Sequence, residues 1–213
     1  MNVYIDAHTH CSDWENPFAV RNLSFDEIES FLKSAKREFC SFGIHPWDVH
    51  TLRPDVLEEV EAWASDPRIK AIGECGLDKN SKASIKEQAY FFERQVTISE
   101  KLLKPMIIHC VAAFNEIIAL RKKLHPAQIW LIHGYRGKPQ MAKQLLNAGF
   151  ALSFGEHFNP LSVELTPIDK LCIETDEGET PIEHLYKDIA IIKGCLPFEL
   201  NGACQLLKLY VCT

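Results

Sequence analysis

Two histidines with one residue between them, His8 and His10, follow a short apolar run near the start of the chain, in Asp6-Ala7-His8-Thr9-His10. On an extended segment, residues two apart point the same way, so both imidazoles can address one bound species. Metal-binding residue types recur just after other apolar runs. Glu74 follows Ala71-Ile72-Gly73, His109 follows Met106-Ile107-Ile108, His133 follows Ile129-Trp130-Leu131-Ile132, and Asp176 ends Leu171-Cys172-Ile173-Glu174-Thr175-Asp176. Four imidazoles and two carboxylates are borderline nitrogen and oxygen donors, a set that suits Zn²⁺, Mn²⁺, Fe²⁺ or Co²⁺. Around one ion six donors leave little room for a substrate. Around two ions sharing a carboxylate they leave open positions.

Each residue also has an ordinary alternative. A lone histidine ending an apolar strand is more often a hydrogen-bonded core residue than a ligand; two at equivalent places, His109 and His133, shift that balance. Glu74 has Lys70 and Lys79 as competing salt-bridge partners, yet a carboxylate ending a buried strand is costly unless it is paired or bound to a cation. Asp176 competes for an N-cap role, although Thr180 already stands at that position. Asp6 is expected to orient the site or lie beneath it. His45, in Gly43-Ile44-His45-Pro46, reads either as a donor to a phosphate oxygen or as a turn histidine. His50, His125, His157 and His184 fall in loops or helices and read as surface or capping residues, with His157 also within reach of a substrate. Cys11, Cys75 and Cys110 adjoin candidate ligands and read as packing residues.

The elements that must position these groups alternate along the chain. Seven short apolar runs have the length of strands buried on both faces: Val3–Ile5, Phe39–Ile44, Lys70–Cys75, Met106–His109, Ile129–His133, Phe150–Phe154 and Leu171–Glu174. Phe18–Leu23 is a candidate eighth, interrupted by Arg21 and Asn22. Between them lie helices with start and stop signals. Ser24 with Glu27 opens Phe25–Arg37, and Ser84 with Glu87 opens Ile85–Leu103. Pro54 and Pro139 occupy first-turn positions, Gly149 and Gly194 close helices, and a last helix is expected over Phe198–Tyr210. Repeated strand–helix alternation implies an α/β protein with a parallel sheet. In a (β/α) barrel the carboxyl ends of the strands converge on one mouth, whereas an open sheet spreads them along an edge. Six candidate ligands at the ends of five strands therefore favour a barrel of seven to eight parallel strands. With no linker, repeat or low-complexity segment, residues 1–213 read as one domain.

Composition narrows the partners. The 213 residues include 23 Lys+Arg against 29 Asp+Glu, a formal net charge of −6, with 46% apolar and 24% charged residues, which excludes disordered and fibrous classes. An acidic chain is a poor passive DNA binder, but bound divalent cations reverse the local charge where a phosphate would sit. No apolar run approaches the length of a membrane span and no signal-peptide pattern opens the chain, so a cytoplasmic protein without a membrane partner is expected. The eight cysteines form no C-x-x-C pair, in keeping with free thiols in a reducing compartment.

The motifs D-A-H-T-H (6–10), G-I-H-P (43–46), A-I-G-E-C-G-L-D (71–78), I-I-H (107–109), I-H-G-Y (132–135), L-S-F-G (152–155) and I-E-T-D (173–176), in this order, resemble the TatD metal-dependent deoxyribonucleases. The resemblance runs from residue 3 to about residue 180 and continues weakly through Asn201–Tyr210. It implies a distorted TIM-type barrel with two divalent metal ions (Zn, Mg or Mn) that hydrolyses phosphodiester bonds in DNA. It further implies His8, His10 and Asp176 on the first metal, Glu74 bridging, and His109 and His133 on the second, with His45 near the substrate phosphate. Two cations would polarise a water and neutralise charge on the phosphoryl oxygens, with Glu74 and Asp176 as catalytic carboxylates and Asp176 accepting the proton.

Departures from the family pattern concentrate around the substrate. Val111 stands where an Arg is usual, Glu177-Gly178-Glu179 where a small residue and Pro are usual, and Gly134 where Cys is usual. Arg136 and Lys138 are candidates for the missing phosphate contact. The short stretch 11–38 implies a missing or vestigial βα unit. Three readings follow: a TatD-like nuclease acting on DNA or another phosphoester, a metal-dependent hydrolase of a small ester, lactone or amide on the same scaffold, and a barrel that binds metal without turnover. Retention of every candidate ligand opposes the last, since such groups only destabilise an inactive core.

Overall fold

Strands alternate with helices because apolar runs of strand length are separated by amphipathic segments. The computed structural model describes residues 4–11, 16–200 and 202–209. Eight strands form one sheet in sequence order, each parallel to the next: β1 (Asp6–Thr9), β2 (Ala19–Leu23), β3 (Phe39–Phe42), β4 (Ile69–Asp78), β5 (Met106–Val111), β6 (Trp130–Ile132), β7 (Ala151–Phe154) and β8 (Leu171–Ile173). The first and last strands meet at one parallel bridge between Thr9 and Asp176. There the His10 N–H donates to the Asp176 carbonyl (3.1 Å) and the Asp176 N–H to the His8 carbonyl (3.0 Å). The sheet is thus a nearly closed TIM-type barrel. Around it run α1 (Phe25–Lys33), α2 (Val56–Ala64), α3 (Ile85–Leu102), α4 (Phe114–Leu124), α5 (Pro139–Asn147), α6 (Pro160–Leu165) and α7 (Ile182–Lys193), and a short α8 (Gly202–Leu206) follows.

Several boundaries differ from the sequence expectation for local reasons. The first strand begins at Asp6 instead of covering Val3–Ile5, because pairing with β2 starts at Asp6 opposite Ala19; Val3 lies outside the described residues. The candidate eighth strand exists as β2. Its polar residues are accommodated on two sides: Arg21 pairs with Glu27 (2.7 Å) and Glu38 (3.3 Å), while Asn22 bonds to Ser41 and to the Glu74 N–H. The βα unit expected to be missing or vestigial within residues 11–38 is present as β2 followed by α1, compressed to short elements; among the described residues it is the connection between β1 and β2 that carries no helix. Helix α1 stops at Lys33, short of Arg37, because the Arg68 guanidinium takes the carbonyls of Phe31, Leu32, Ser34 and Lys36 at 2.9–3.3 Å. The expected Phe198–Tyr210 helix is a 3-10 turn at Pro197–Glu199 followed by α8; Asn201 and Tyr210 lie outside the described residues. Thr180 does not cap α7, since its hydroxyl donates to Glu156 instead (2.8 Å).

Two apolar layers result. Between sheet and helices, side chains such as Phe42, Ile72, Phe92, Ile108, Trp130 and Phe154 are fully buried. Inside the barrel, Ala7, Val20, Ala71, Ile107, Leu131, Ala151 and Cys172 form a second cluster with Ala203, Leu206, Leu207 and Leu209. The α8 segment therefore plugs the barrel floor, leaving the opposite mouth for chemistry. No described helix is long and apolar enough to cross a membrane.

Candidate metal centre

Five strands carry the six candidate ligands to that mouth. His8 lies in β1 with His10 just beyond it; Glu74 lies within β4, His109 within β5, His133 directly after β6, and Asp176 just after β8. The chain is shaped locally to press Glu74 into place. Gly73 and Gly76 have φ of +147° and +151°, and a Cβ there would lie 2.3 Å from the Ile107 carbonyl and 2.0 Å from the His109 carbonyl. Glycine on each side of the glutamate thus lets β4 approach β5 more closely than any side chain permits. Asn22 then fixes the Glu74 N–H (2.9 Å). Helix α3 pins two strand ends: Gln95 bonds both the N–H and the carbonyl of Ile44, and Gln88 does the same for Asp78. At Asp176 the backbone is left-handed, φ +55°, so the carboxylate leaves the seam toward the mouth.

Glu74, 4% exposed, divides its two oxygens. Oε2 lies 3.0 Å from His10 Nε2 and 3.6 Å from His8 Nε2, both of which are 3.7 Å from Asp176 Oδ1. Oε1 lies 2.6 Å from His133 Nε2 and 3.4 Å from His109 Nδ1. The alternative partners are engaged elsewhere: Lys79 pairs with Glu116 (2.6 Å) and the Lys70 ammonium stands over the Phe39 ring. The N-cap alternative for Asp176 also fails, because its backbone is bound into the β1 seam.

Four further groups support the six, and three of them, Asp78, Glu174 and Asn22, are absent from the sequence expectation as site residues. Asp78 Oδ2 lies 3.1 Å from His109 Nε2, on the far side of the ring from the Nδ1 that is turned to Glu74. Glu174 accepts the Gly134 N–H and lies 3.4 Å from His133 Nδ1. Such carboxylates set the tautomer and aim of a metal-binding imidazole. Asp6 accepts the Thr175 N–H (3.0 Å) and hydroxyl (2.6 Å), bracing the turn before Asp176, as its expected supporting role requires. Asn22 is the fourth. Asp78 had a readable signal, since positions 74 and 78 share a face of one strand.

The electrostatics follow from this packing. Burial opposes charge on Glu74, but the His133, His8, His10 and His109 imidazoles hold it well below the usual carboxylate range. Burial likewise opposes charge on His133, and the Glu74 and Glu174 carboxylates raise it well above its ordinary value. His10 is raised by its hydrogen bond to Glu74. Burial lifts Asp6 to about 7. The donors fit a cation: His8 is fully buried with neither ring nitrogen hydrogen-bonded, and Glu174 Oε2 is also without a partner. Donor atoms of His8, His10 and Asp176, of His8, Glu74 and His133, and of His45, Glu74 and His109 each lie within 4.8 Å of one another.

A cleft of about 370 Å³ opens onto these groups, lined also by His45 and Trp47. His45 accepts the Trp47 N–H at Nδ1 (3.1 Å), so its Nε2 carries the proton. Burial and the neighbouring His109 push it down to about 4, making it a neutral donor at pH 7. Arg136 borders an adjoining cavity of about 470 Å³, its guanidinium 3.9 Å from Asp176. Lys138 stands at the N-cap of α5, where its carbonyl accepts from Tyr135. His157 pairs with Glu156, and His50 and His125 sit in turns. Cys75 is buried and Cys110 is pushed up to about 12 by burial, as packing thiols should be; Cys11 is exposed. Cys212 lies outside the described residues.

Over residues 16–183 the sequence matches the family model described as TatD related DNase. It is 32% identical over 151 residues to a 3'-5' ssDNA/RNA exonuclease TatD from Cronobacter turicensis, covering 63% of this chain and 55% of the relative. It is 28% identical over 162 residues to an uncharacterized metal-dependent hydrolase from Buchnera aphidicola, covering 72% of this chain and 61% of the relative. The chain thus spans little more than half the length of these relatives. The fold is similar to the crystal structure of a TatD homolog from Escherichia coli K12, with a TM-score of 0.80 at 17% identity, covering 97% of this chain and 96% of the other.

Proposed function

The chain belongs to the TatD related DNase family, and on that premise we propose that it is a divalent-metal-dependent phosphodiesterase that acts on nucleic acid, with residues 1–213 as one hydrolase domain. The observation that carries this reading is the division of Glu74, one oxygen among His8, His10 and Asp176, the other against His109 and His133. A buried carboxylate serving two separate imidazole groups is what a two-cation centre needs, and a one-cation centre leaves half of it idle. His8, His10 and Asp176 would hold one ion, His109 and His133 the other, with Glu74 between. Zinc, manganese and magnesium all accept parts of this donor set.

When bound, the cations supply Lewis acidity toward a phosphoryl oxygen and toward the attacking water. The chain supplies the rest. Asp176 has carboxylate oxygens on the solvent side of the centre and accepts the proton released as water attacks. His45 donates its Nε2–H to a phosphoryl oxygen without adding charge, and Arg136 offers a cation to a neighbouring phosphate. Asp78 and Glu174 keep the His109 and His133 rings aimed during turnover.

The test is metal content of the purified protein beside cleavage of single-stranded DNA, wild type against Glu74→Ala. Near two metals per chain, with cleavage lost in the variant, supports the reading. Metal with no DNA cleavage redirects it to small esters, and no metal overturns it.

A further inference from the structure

The cleft beside the metal centre is chemically two-sided. Toward β3 it is walled by Phe25, His45 and Trp47, with Glu27, Asp48 and Glu177 around them and no lysine or arginine in its lining. Arg136 lines the adjoining cavity instead. Among the described residues that line these two cavities, a second phosphate finds a cation in Arg136, while the β3 side suits a flat, uncharged group.

Trp47 is built to receive such a group. The residue is 57% exposed, yet its indole is anchored by one hydrogen bond and its backbone by two. Indole Nε1 donates to Asp78 Oδ2 (2.7 Å), the backbone N–H donates to His45 Nδ1 (3.1 Å), and the carbonyl is bonded by His50 Nδ1 (2.7 Å). The ring centroid lies 5.5 Å from that of His45 and 6.4 Å from that of His109. An exposed indole held this firmly has already given up the freedom that stacking would otherwise cost. Nucleobases stack on such surfaces whatever their sequence, because every base has a π face.

Resting on the phosphodiesterase reading, we propose that Trp47 forms a nucleobase subsite: the base next to the scissile phosphate stacks on the exposed indole face while its phosphate reaches the Glu74 centre.

The experiment is calorimetric titration of metal-loaded protein with dAMP and with 2-deoxyribose 5-phosphate, for wild type, Trp47→Ala and Trp47→Phe, alongside single-stranded DNA cleavage. Wild type is expected to bind dAMP at least about tenfold more tightly than the sugar phosphate, equivalent to about 1.4 kcal/mol. Trp47→Ala should abolish that preference and leave sugar phosphate affinity unchanged, and Trp47→Phe, which keeps a ring but loses the N–H to Asp78, should retain most of it. A preference that survives Trp47→Ala overturns the proposal. So does a Phe variant as impaired as Ala with weakened sugar phosphate binding, because the effect would then run through Asp78 and His109. A Trp47-dependent preference in a protein that leaves DNA intact upholds the subsite and overturns the hydrolytic reading; DNA cleavage without any base preference does the reverse.

Discussion

At the scale of single residues, the roles divide between groups that face the centre and groups that hold them. The histidines and carboxylates at strand ends were legible because their types and positions repeat, and one alternative partner after another is spoken for in the structure. Asp78 and Glu174 were harder to read, since each lies in a motif next to a more conspicuous residue and acts only through an imidazole. Asn22 was illegible, because an asparagine in a short polar run gives no sign that its side chain fixes a buried glutamate N–H (2.9 Å). Neutralising either holding carboxylate should leave the fold in place and loosen the centre. Asp78→Asn and Glu174→Gln are each expected to weaken metal binding about 10–100-fold, the usual consequence of removing a ligand's outer partner. Competition of each variant with a chromophoric chelator measures this, and affinities equal to wild type would refute the assignment.

At the scale of elements, one arginine does the work of a helix cap for a distant segment. Arg68 precedes β4, spans the carbonyls at the end of α1, pairs with Asp66 (2.9 Å) and lies over the Phe31 ring. Arg68→Ala should cost about 2–4 kcal/mol, since it removes several charge-assisted bonds to carbonyls at and beyond the helix end; chemical denaturation gives the value. Asp66 adds a pH dependence of known sign. The Arg68 side chain holds its carboxyl below the ordinary 3.8. A depressed folded-state value contributes stability above pH 3.8 that is lost as pH falls through the folded value. The melting-temperature gap between wild type and Asp66→Asn should therefore narrow below about pH 4, and a constant gap would contradict the pairing. The helix boundary at Lys33 was unreadable for the same reason: its cap comes from a residue more than thirty positions away. In β2 the obstacle was opposite in kind, because Arg21 and Asn22 look like loop residues until Glu27, Glu38 and Ser41 are placed around them.

At the scale of the whole molecule, alternating strands and helices made the barrel legible, but not how its two ends would be finished. The floor is closed by α8 and the turn after it, where Leu207 is fully buried against the barrel interior. Leu207→Ala should destabilise by about 2–4 kcal/mol, the range for a large-to-small change at a rigid buried site. The change lies on the far side of the barrel from the mouth, so metal stoichiometry should be unaltered while the melting temperature falls. At the opposite end, the seam between β1 and β8 has its own logic. Its backbone bonds are few, running between His8, His10 and Asp176, and they join the first strand to the last, the most expensive loop to close in the chain. The same three residues supply the side chains of one proposed ion site. A cation there would therefore latch the sheet's two free edges, turning ligand binding into topological closure. Deuterium uptake would reveal that latch: the His10 and Asp176 amides should slow far more on metal loading than amides between β4 and β5, whose pairing is continuous from Cys75 to Asp78.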